Sequence, residues 1–442
     1  MDITVSLQIK IQLDGNKKVS VGNVATAVKG LGLEQKVTEA VIQNADEELI
    51  EKYCGGMYAR GNGNNRYQRA GTVKRHPKTS VGKLELMLHR VKGKEEGETR
   101  IFLPVEDMIE FDGKKIYQED ISMISAELAT KLTYRDAVKE GRQFIKDFPS
   151  ACTINRRVIE YGEKIKAFNG DKIKDARVEV VYADGTKTHS QEKGKSKNGV
   201  NVVLGVSNGK KVLLDTRVNK PWEKTASELD KAATLDKNAV VIGDADREMR
   251  NALVTGERSF QLDFIHVTRD TGFKLWQDGK MTLDARKKII RRLESALYSL
   301  KNSAVKHEKD GDLDALKRRI NYTVDELKEQ AKELQKLGCF KAAAFIRDYS
   351  NTIVTFAILA VKGRKVPWNS NLIERLMGEI AKRTKHKWMR WTTKGLETIL
   401  NLILMRYVSE ESYDVFKSRM MKSNNLRFIK GEVEIISAGG EF

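Results

Sequence analysis

The stretch Val180–His189 reads VVYADGTKTH, and the fold turns on it. Val178, Val180 and Tyr182 alternate with Glu179, Val181 and Ala183, and β-branched residues crowd the run. That pattern predicts a strand over Arg177–Ala183. Asp184-Gly185 then predicts a turn. An aspartate at the tip of a buried strand is reachable by a cation or a phosphate. A hairpin turn in which Asp184 bonds only its own backbone explains the same residues.

The residues downstream bear on that choice. Gly199–Val206 and Lys211–Val218 read as two more strands, joined at Asn208-Gly209. A helix is expected at Ala226–Ala233. Ala239–Asp244, AVVIGD, is a short apolar run that reads as a buried, parallel-type strand with a carboxylate at its tip. Ser259–His266 is a fifth strand candidate. Three antiparallel strands, a helix and a buried strand ending in Asp follow the order of the RNase H-like fold. In that order the first and fourth strands are neighbours, which sets Asp184 beside Asp244. The other reading of Asp244 is the N-cap of a helix at Arg247–Leu253. Asp246 is an alternative cap or ligand.

The chain has 442 residues, with 80 Lys+Arg against 61 Asp+Glu, a net charge of +19. The length allows two to four domains, and the charge favours a polyanionic partner. The longest apolar run, Thr352–Val361, is about half a bilayer span, so no membrane segment is expected. The N-terminus, MDITVSLQIKIQLDG, alternates like a strand over Thr4–Leu13 and has no apolar signal core. A cytoplasmic, nucleoid-associated protein with DNA as its polyanion is therefore expected. The three cysteines, Cys54, Cys152 and Cys339, imply neither a disulfide framework nor a zinc site.

Helices are expected at Val21–Leu31 and Gln35–Lys52. Between Arg60 and Lys94 lie Arg60, Arg66, Arg69, Lys74, Arg75, Lys78, Lys83, Arg90, Lys92 and Lys94, with Glu85 as the sole acid. Strand-like runs at Gly71–Thr79 and Lys83–Val91 make this a basic two-stranded ribbon able to track phosphates, or else a solvated face. A third run follows at Thr99–Leu103. Ile121–Phe168 reads as short helices. Two of them, joined at Phe148-Pro149-Ser150, fit a helix-turn-helix with Asn155, Arg156 and Arg157 early in the second.

Met281–Val361 carries two amphipathic stripes. One is Leu283, Ile289, Ile290, Leu293, Leu297 and Leu300; the other is Leu313, Leu316, Ile320, Val324 and Leu327. A helical insertion is expected. A helix over Leu372–Thr384 follows the Pro367 turn, capped by Asn369 or Ser370, with Glu374 near its start. Glu379 lies about 140° around that helix from Glu374. A second apolar helix is expected at Leu396–Tyr407.

Together, Ala183-Asp184-Gly185, Ile242-Gly243-Asp244 and Asn371-Leu372-Ile373-Glu374-Arg375, with Arg383-Thr384 downstream, resemble the DDE transposases of prokaryotic insertion sequences. The likeness is to the Mutator-related branch, in which a helical insertion separates the second Asp from the Glu. The spacings are 60 (244−184) and 130 (374−244). Tyr53-Cys54-Gly55-Gly56, Tyr67-Gln68-Arg69, Leu132-Thr133-Tyr134-Arg135-Asp136-Ala137 and Thr153-Ile154-Asn155-Arg156-Arg157 add to the likeness, which spans roughly residues 50–410. One departure is Asp263-Phe264-Ile265-His266, where many members carry Cys-x-x-His.

The resemblance implies an RNase H-like mixed α+β core interrupted by an all-α insertion. The expected divisions are 1–118 (the region with the ribbon), 119–170 (the helix-turn-helix), 171–270 (core, first part), 271–365 (insertion), 366–410 (core, second part) and 411–442 (tail). It further implies that Asp184, Asp244 and Glu374 are catalytic and hold Mg²⁺, with Mn²⁺ able to substitute. His266, Arg375 and Arg383 would be accessory. Carboxylates suit Mg²⁺ because it is a hard cation, and two such ions can clamp an in-line displacement at phosphorus. The implied activity is cleavage at the element's terminal repeats and strand transfer into target DNA, by a homodimer or higher oligomer. The alternatives are a metal-dependent nuclease on the same fold and a domesticated, non-catalytic DNA-binding protein.

Overall fold

The computed structural model describes residues 3–6, 20–55, 67–95, 98–112, 115–174, 176–232, 234–385 and 389–421. The chain is a mixed α+β protein with two compact units, Met1–Arg157 with Lys417–Phe442, and Val158–Phe416. The helices between the second Asp and the Glu belong to the same unit as the sheet, and the boundary at 157/158 falls inside a helix.

In the first unit, α1 (Val21–Gly30) and α2 (Leu33–Cys54) precede β1 (Tyr67–Arg75), a small hairpin of β2 (Lys78–Thr79) and β3 (Gly82–Lys83), then β4 (Leu86–Glu95) and β5 (Glu98–Phe102). The expected two-stranded ribbon is instead a three-stranded antiparallel sheet, β1-β4-β5. Its inner face is core: Leu84, Leu86 and Leu88 pack with Ile42, Leu103 and Val105. Of the expected strand Thr4–Leu13, residues 7–13 lie outside the described set, and residues 3–6 are not in a strand. The helices α3 (Glu119–Lys131), α4 (Tyr134–Phe144) and α5 (Ala151–Ile173) follow. Thr133 caps α4, accepting from the Asp136 N–H at 3.1 Å. Gly141 lets the Phe148 ring lie against α4; a Cβ there would sit 2.4 Å from that ring.

The second unit is built on a five-stranded sheet. Its strands are β6 (Val178–His189), β7 (Lys197–Ser207), β8 (Lys210–Val218), β9 (Leu235–Gly243) and β10 (Ser259–Leu262). The spatial order is β10-β9-β6-β7-β8. β6, β7 and β8 are antiparallel; β9 runs parallel to β6, and β10 parallel to β9. The Asn208-Gly209 turn joins β7 and β8, both residues with positive φ (50° and 74°), as a tight hairpin requires. α6 (Trp222–Lys231) leads into β9, and α7 (Arg247–Leu253) connects β9 to β10.

One expectation fails in β6. The strand does not turn at Asp184-Gly185 but continues to His189, pairing Asp184 with Val202 and Gly185 with Asn201. The alternation runs on through Thr186 and the buried Thr188, and the partner strand extends far enough to hold it. Ser259–His266 also differs: the strand stops at Leu262, and Phe264 opens α8 (Phe264–Asp278).

The helices α9 (Leu283–Asp310), α10 (Leu313–Lys336), α11 (Phe340–Ile353) and α12 (Thr355–Val361) form the expected helical stretch. Leu293, Leu297, Leu300, Leu316, Ile320 and Leu327 are buried along the two stripes, whereas Leu283 and Leu313, at the helix starts, are exposed. Phe340–Val361 is apolar and long enough to cross a membrane by length and composition. It is broken at Val354 into α11 and α12, and it buries Ala343, Phe345, Ile346, Ile353, Phe356 and Leu359 in this unit. The last helices are α13 (Asn371–Thr384), α14 (Thr393–Val408) and α15 (Glu410–Met421).

Candidate active site

The site begins at the centre of the sheet. β6 and β9 pair in register, Tyr182 with Ile242. Asp184 and Asp244 each follow by two residues, so the two carboxylates stand at the same level of adjacent parallel strands. The backbones are close here: a Cβ on Gly243 would lie 2.9 Å from the Ala183 carbonyl oxygen and 2.6 Å from Met249 Cε. Asp244 does not cap α7. Asp246 does, its Oδ1 accepting from the N–H groups of Glu248 (2.9 Å) and Met249 (3.2 Å). Asp244 is left facing the site, and a cleft of about 530 Å³ opens beside it, lined by Asp246, Asp270, Lys274, Asp348 and Tyr349.

Glu374, on the first turn of α13, lies beside His266 and acts electrostatically on Asp184. Burial pushes the Asp184 carboxyl up to about 6, and the nearby negative charge of Asp244 adds to this; the Gly185 N–H and His266 oppose it, and Glu374 raises it further. Burial also raises Asp244, with the Asp246 N–H and His266 opposing. Each aspartate spends one oxygen on local backbone: Asp184 Oδ1 accepts from Gly185 N–H at 2.7 Å, and Asp244 Oδ1 from Asp246 N–H at 3.1 Å. Among the described residues, no Lys or Arg forms an ion pair with Asp184, Asp244 or Glu374. His266 Nε2 lies 3.5 Å from Glu374 Oε1, and Lys274 and Lys341 line the cleft beside Asp244 without pairing with it. Carboxylate oxygens are the donors a hard divalent cation takes.

His266 and Asp263 lie at the start of α8 instead of in a strand. Asp263 is the N-cap, its Oδ1 accepting from Ile265 N–H (2.5 Å) and His266 N–H (3.3 Å). Its Oδ2 accepts from the hydroxyl of Ser370 at 2.6 Å and from the Ser370 N–H. Ligand atoms of Asp263, His266 and Glu374 come within 4.8 Å of one another. Those three do not form a cation site by themselves, because Asp263 has both oxygens filled by donors. The Arg269 guanidinium lies 2.5 Å from His266 Nδ1. Arginine only donates, so Nδ1 accepts and Nε2–H faces Glu374. His266 thus offers Glu374 a hydrogen-bond donor.

Ser370 is the N-cap of α13 by position, but its side chain makes no capping bond, being turned to Asp263. Arg269 and the Asp263–Ser370 bond were not foreseen. A signal existed for Arg269, one helical turn beyond His266, and for the capping role of Asp263, three residues before it, but none for the bond to Ser370.

The accessory arginines separate. Arg375 is exposed. Arg383 is buried, its guanidinium 4.8 Å from the Trp391 ring centroid and bonded to Met389 Sδ, so it ties α13 to those two side chains. Of the expected DNA contacts, Arg60 and Arg66 lie outside the described residues. Lys74 and Arg156 are exposed, and Asn155 is half-buried. Arg69 pairs with Glu51 and Arg75 with Glu106, so acids from α2 and from the turn after β5 answer part of the basic excess. Arg157 is buried and bonded to Asp112 at 2.9 Å and to the Tyr117 carbonyl at 2.7 Å. It holds the fold and cannot reach a base edge.

Neither the models of known protein families nor the curated proteins contain a match to this chain.

Proposed function

We propose that this protein is a DDE-type transposase that binds the ends of an insertion sequence and cleaves and joins DNA at the Asp184, Asp244 and Glu374 site. One observation supports the reading: Asp244 and Glu374, 60 and 190 positions further along the chain, both act electrostatically on the carboxyl of Asp184, and among the described residues none of the three forms an ion pair with Lys or Arg. The order of the sheet, with three antiparallel strands followed by two parallel to the first, supports an RNase H-like core. The helices α9 to α12, between Asp244 and Glu374, match the place of the helical insertion in the Mutator-related branch.

Bound Mg²⁺, or Mn²⁺ in its place, would activate an attacking oxygen and offset charge at the leaving 3′ oxygen. Asp184 would hold it from within β6, Asp244 from just past the end of β9 and Glu374 from α13. His266, donating from Nε2, would steady the Glu374 carboxylate. The partner is DNA, both terminal repeat and target, and a homodimer or larger assembly would pair two ends. The net charge of +19 supports that partner, with exposed Lys74 and Arg156 as candidate phosphate contacts. The protein would act in the cytoplasm, on the nucleoid.

The test uses duplexes that carry the sequences flanking the gene, with Mg²⁺. The full chain is expected to nick them and to join pre-cut ends to plasmid DNA. Asp184→Asn, Asp244→Asn and Glu374→Gln are each expected to abolish both steps while leaving DNA binding intact. Nicking without joining would make the protein a nuclease. Undiminished nicking by any of the three variants would refute the site.

A further inference from the structure

We propose that Asp263 is a positioning residue whose buried carboxylate latches the three segments that carry Asp244, His266 and Glu374. The inference deepens the reading of that site as a cation-binding centre and rests on it.

Asp263 has no exposed surface. A carboxylate in that position costs folding energy unless donors fill its oxygens. Here four do. Oδ1 takes the two N–H groups of the first turn of α8, including that of His266 itself. Oδ2 takes the N–H and the hydroxyl of Ser370. The backbone N–H of Asp263 donates to the carbonyl of Gly243 at 3.1 Å, the residue immediately before Asp244. One residue therefore touches the end of β9, the start of α8 and the entry to α13.

The link to Glu374 is short. The Ser370 carbonyl accepts from the N–H groups of Ile373 (2.9 Å) and Glu374 (3.1 Å). A shift of Ser370 is thus carried into the turn that bears Glu374. The side chain that would ordinarily cap α13 has been given up to Asp263. Through the cap of α8, the same carboxylate also sets the helix on which His266 faces Glu374 at 3.5 Å. No other described residue joins all three segments through hydrogen bonds to one side chain and its own N–H. A neutral amide at 263 would present an N–H₂ to one of its present donors and break one side of the latch.

The experiment compares the full chain with Asp263→Asn, Ser370→Ala and Ser370→Thr on the flank duplexes with Mg²⁺. Asp263→Asn is expected to lower kcat by roughly 100-fold, the loss that a displacement of about 1 Å can cause. Ser370→Ala keeps the N–H bond and is expected to lose about 10-fold. Ser370→Thr keeps both donors and should restore the wild-type rate. KM for DNA should stay within about twofold in all three, which a loss of DNA binding would not predict, and unchanged melting temperatures separate the kcat loss from a loss of folded protein. Amide hydrogen exchange at Ile265, His266 and Ser370 reads the latch without reference to activity. Protection should fall in Asp263→Asn on the side that the new N–H₂ meets, either at Ile265 and His266 or at Ser370, and should hold in Ser370→Ala, which keeps the N–H bond. Wild-type kcat in both Asp263→Asn and Ser370→Ala, or unchanged exchange at all three amides in Asp263→Asn, overturns the latch. If the unmutated chain leaves the duplexes uncut, the reading of the site fails instead, and the exchange data still decide the latch.

Discussion

Asp184 and Asp244 stand level on neighbouring parallel strands, two residues beyond the paired Tyr182 and Ile242. Two half-buried carboxylates there repel each other, and among the described residues neither forms an ion pair with Lys or Arg. Such placement costs stability, and sites that do so are commonly functional. Asp184→Asn is therefore expected to stabilise the cation-free protein by about 1–2 kcal/mol while removing activity. Thermal or denaturant unfolding at pH 7.5 without divalent ions checks this. A destabilised Asp184→Asn would mean that the carboxylate is a structural acceptor.

The raised Asp184 carboxyl gives a pH signature. Its value moves from 3.8 to about 6 on folding, so the folded chain binds this proton more tightly than the unfolded chain does. The cation-free fold should lose stability as pH rises between about 4 and 6, and the loss should be absent in Asp184→Asn. Cation binding has the opposite slope, because the ionised form is the ligand. Mn²⁺ affinity, measured by calorimetry, should climb through pH 6 and level off above it. Affinity that is flat from pH 5 to 7.5 would remove Asp184 from the ligand set.

Gly243 is needed for the closeness of β6 and β9. In Gly243→Ala the new methyl meets Met249 Cε and the Ala183 carbonyl inside contact distance. A loss of about 1–3 kcal/mol is expected, together with weaker cation binding as the strands part. Melting and Mn²⁺ titration of the same sample test both effects. An unchanged melting temperature would show that the strands are not held this close.

Arg156 and Arg157 are adjacent in sequence and opposite in role. Arg157→Ala removes the buried donor to Asp112 and to the Tyr117 carbonyl, leaving Asp112 with Lys115, and should cost about 1–3 kcal/mol. Arg156→Ala should change stability by no more than about 0.5 kcal/mol. It should weaken DNA binding and flatten its salt dependence. Unfolding curves and binding isotherms at two salt concentrations separate them. Equal effects of the two substitutions on both measurements would contradict this division.

The features legible in the sequence were those set by local pattern. The alternation of Val178, Val180 and Tyr182 and the apolar run Ala239–Ile242 marked β6 and β9, and the order of elements placed them side by side. Asn208-Gly209 marked its hairpin because two adjacent residues with positive φ need those side chains. Asp184-Gly185 misled for the converse reason: the same kind of dipeptide lies inside a strand when a partner pairs across it. The end of β10 was missed because Asp263 acts as a cap, and its second set of donors comes from Ser370, 107 positions away. Arg157 and Arg383 read as surface cations because their partners, Asp112 and Trp391, were not predictable from neighbouring residues. The carboxylate group itself was approached through likeness to a family, since nothing local ties Glu374 to the two aspartates.

The most direct measurement is an anomalous difference map from crystals of the full chain grown with Mn²⁺ and a flank duplex. Density for Mn²⁺ within about 2.5 Å of carboxylate oxygens of Asp184, Asp244 and Glu374 is the predicted result. Ordered Mn²⁺ elsewhere, with those three oxygens bound only to water, would contradict the assignment.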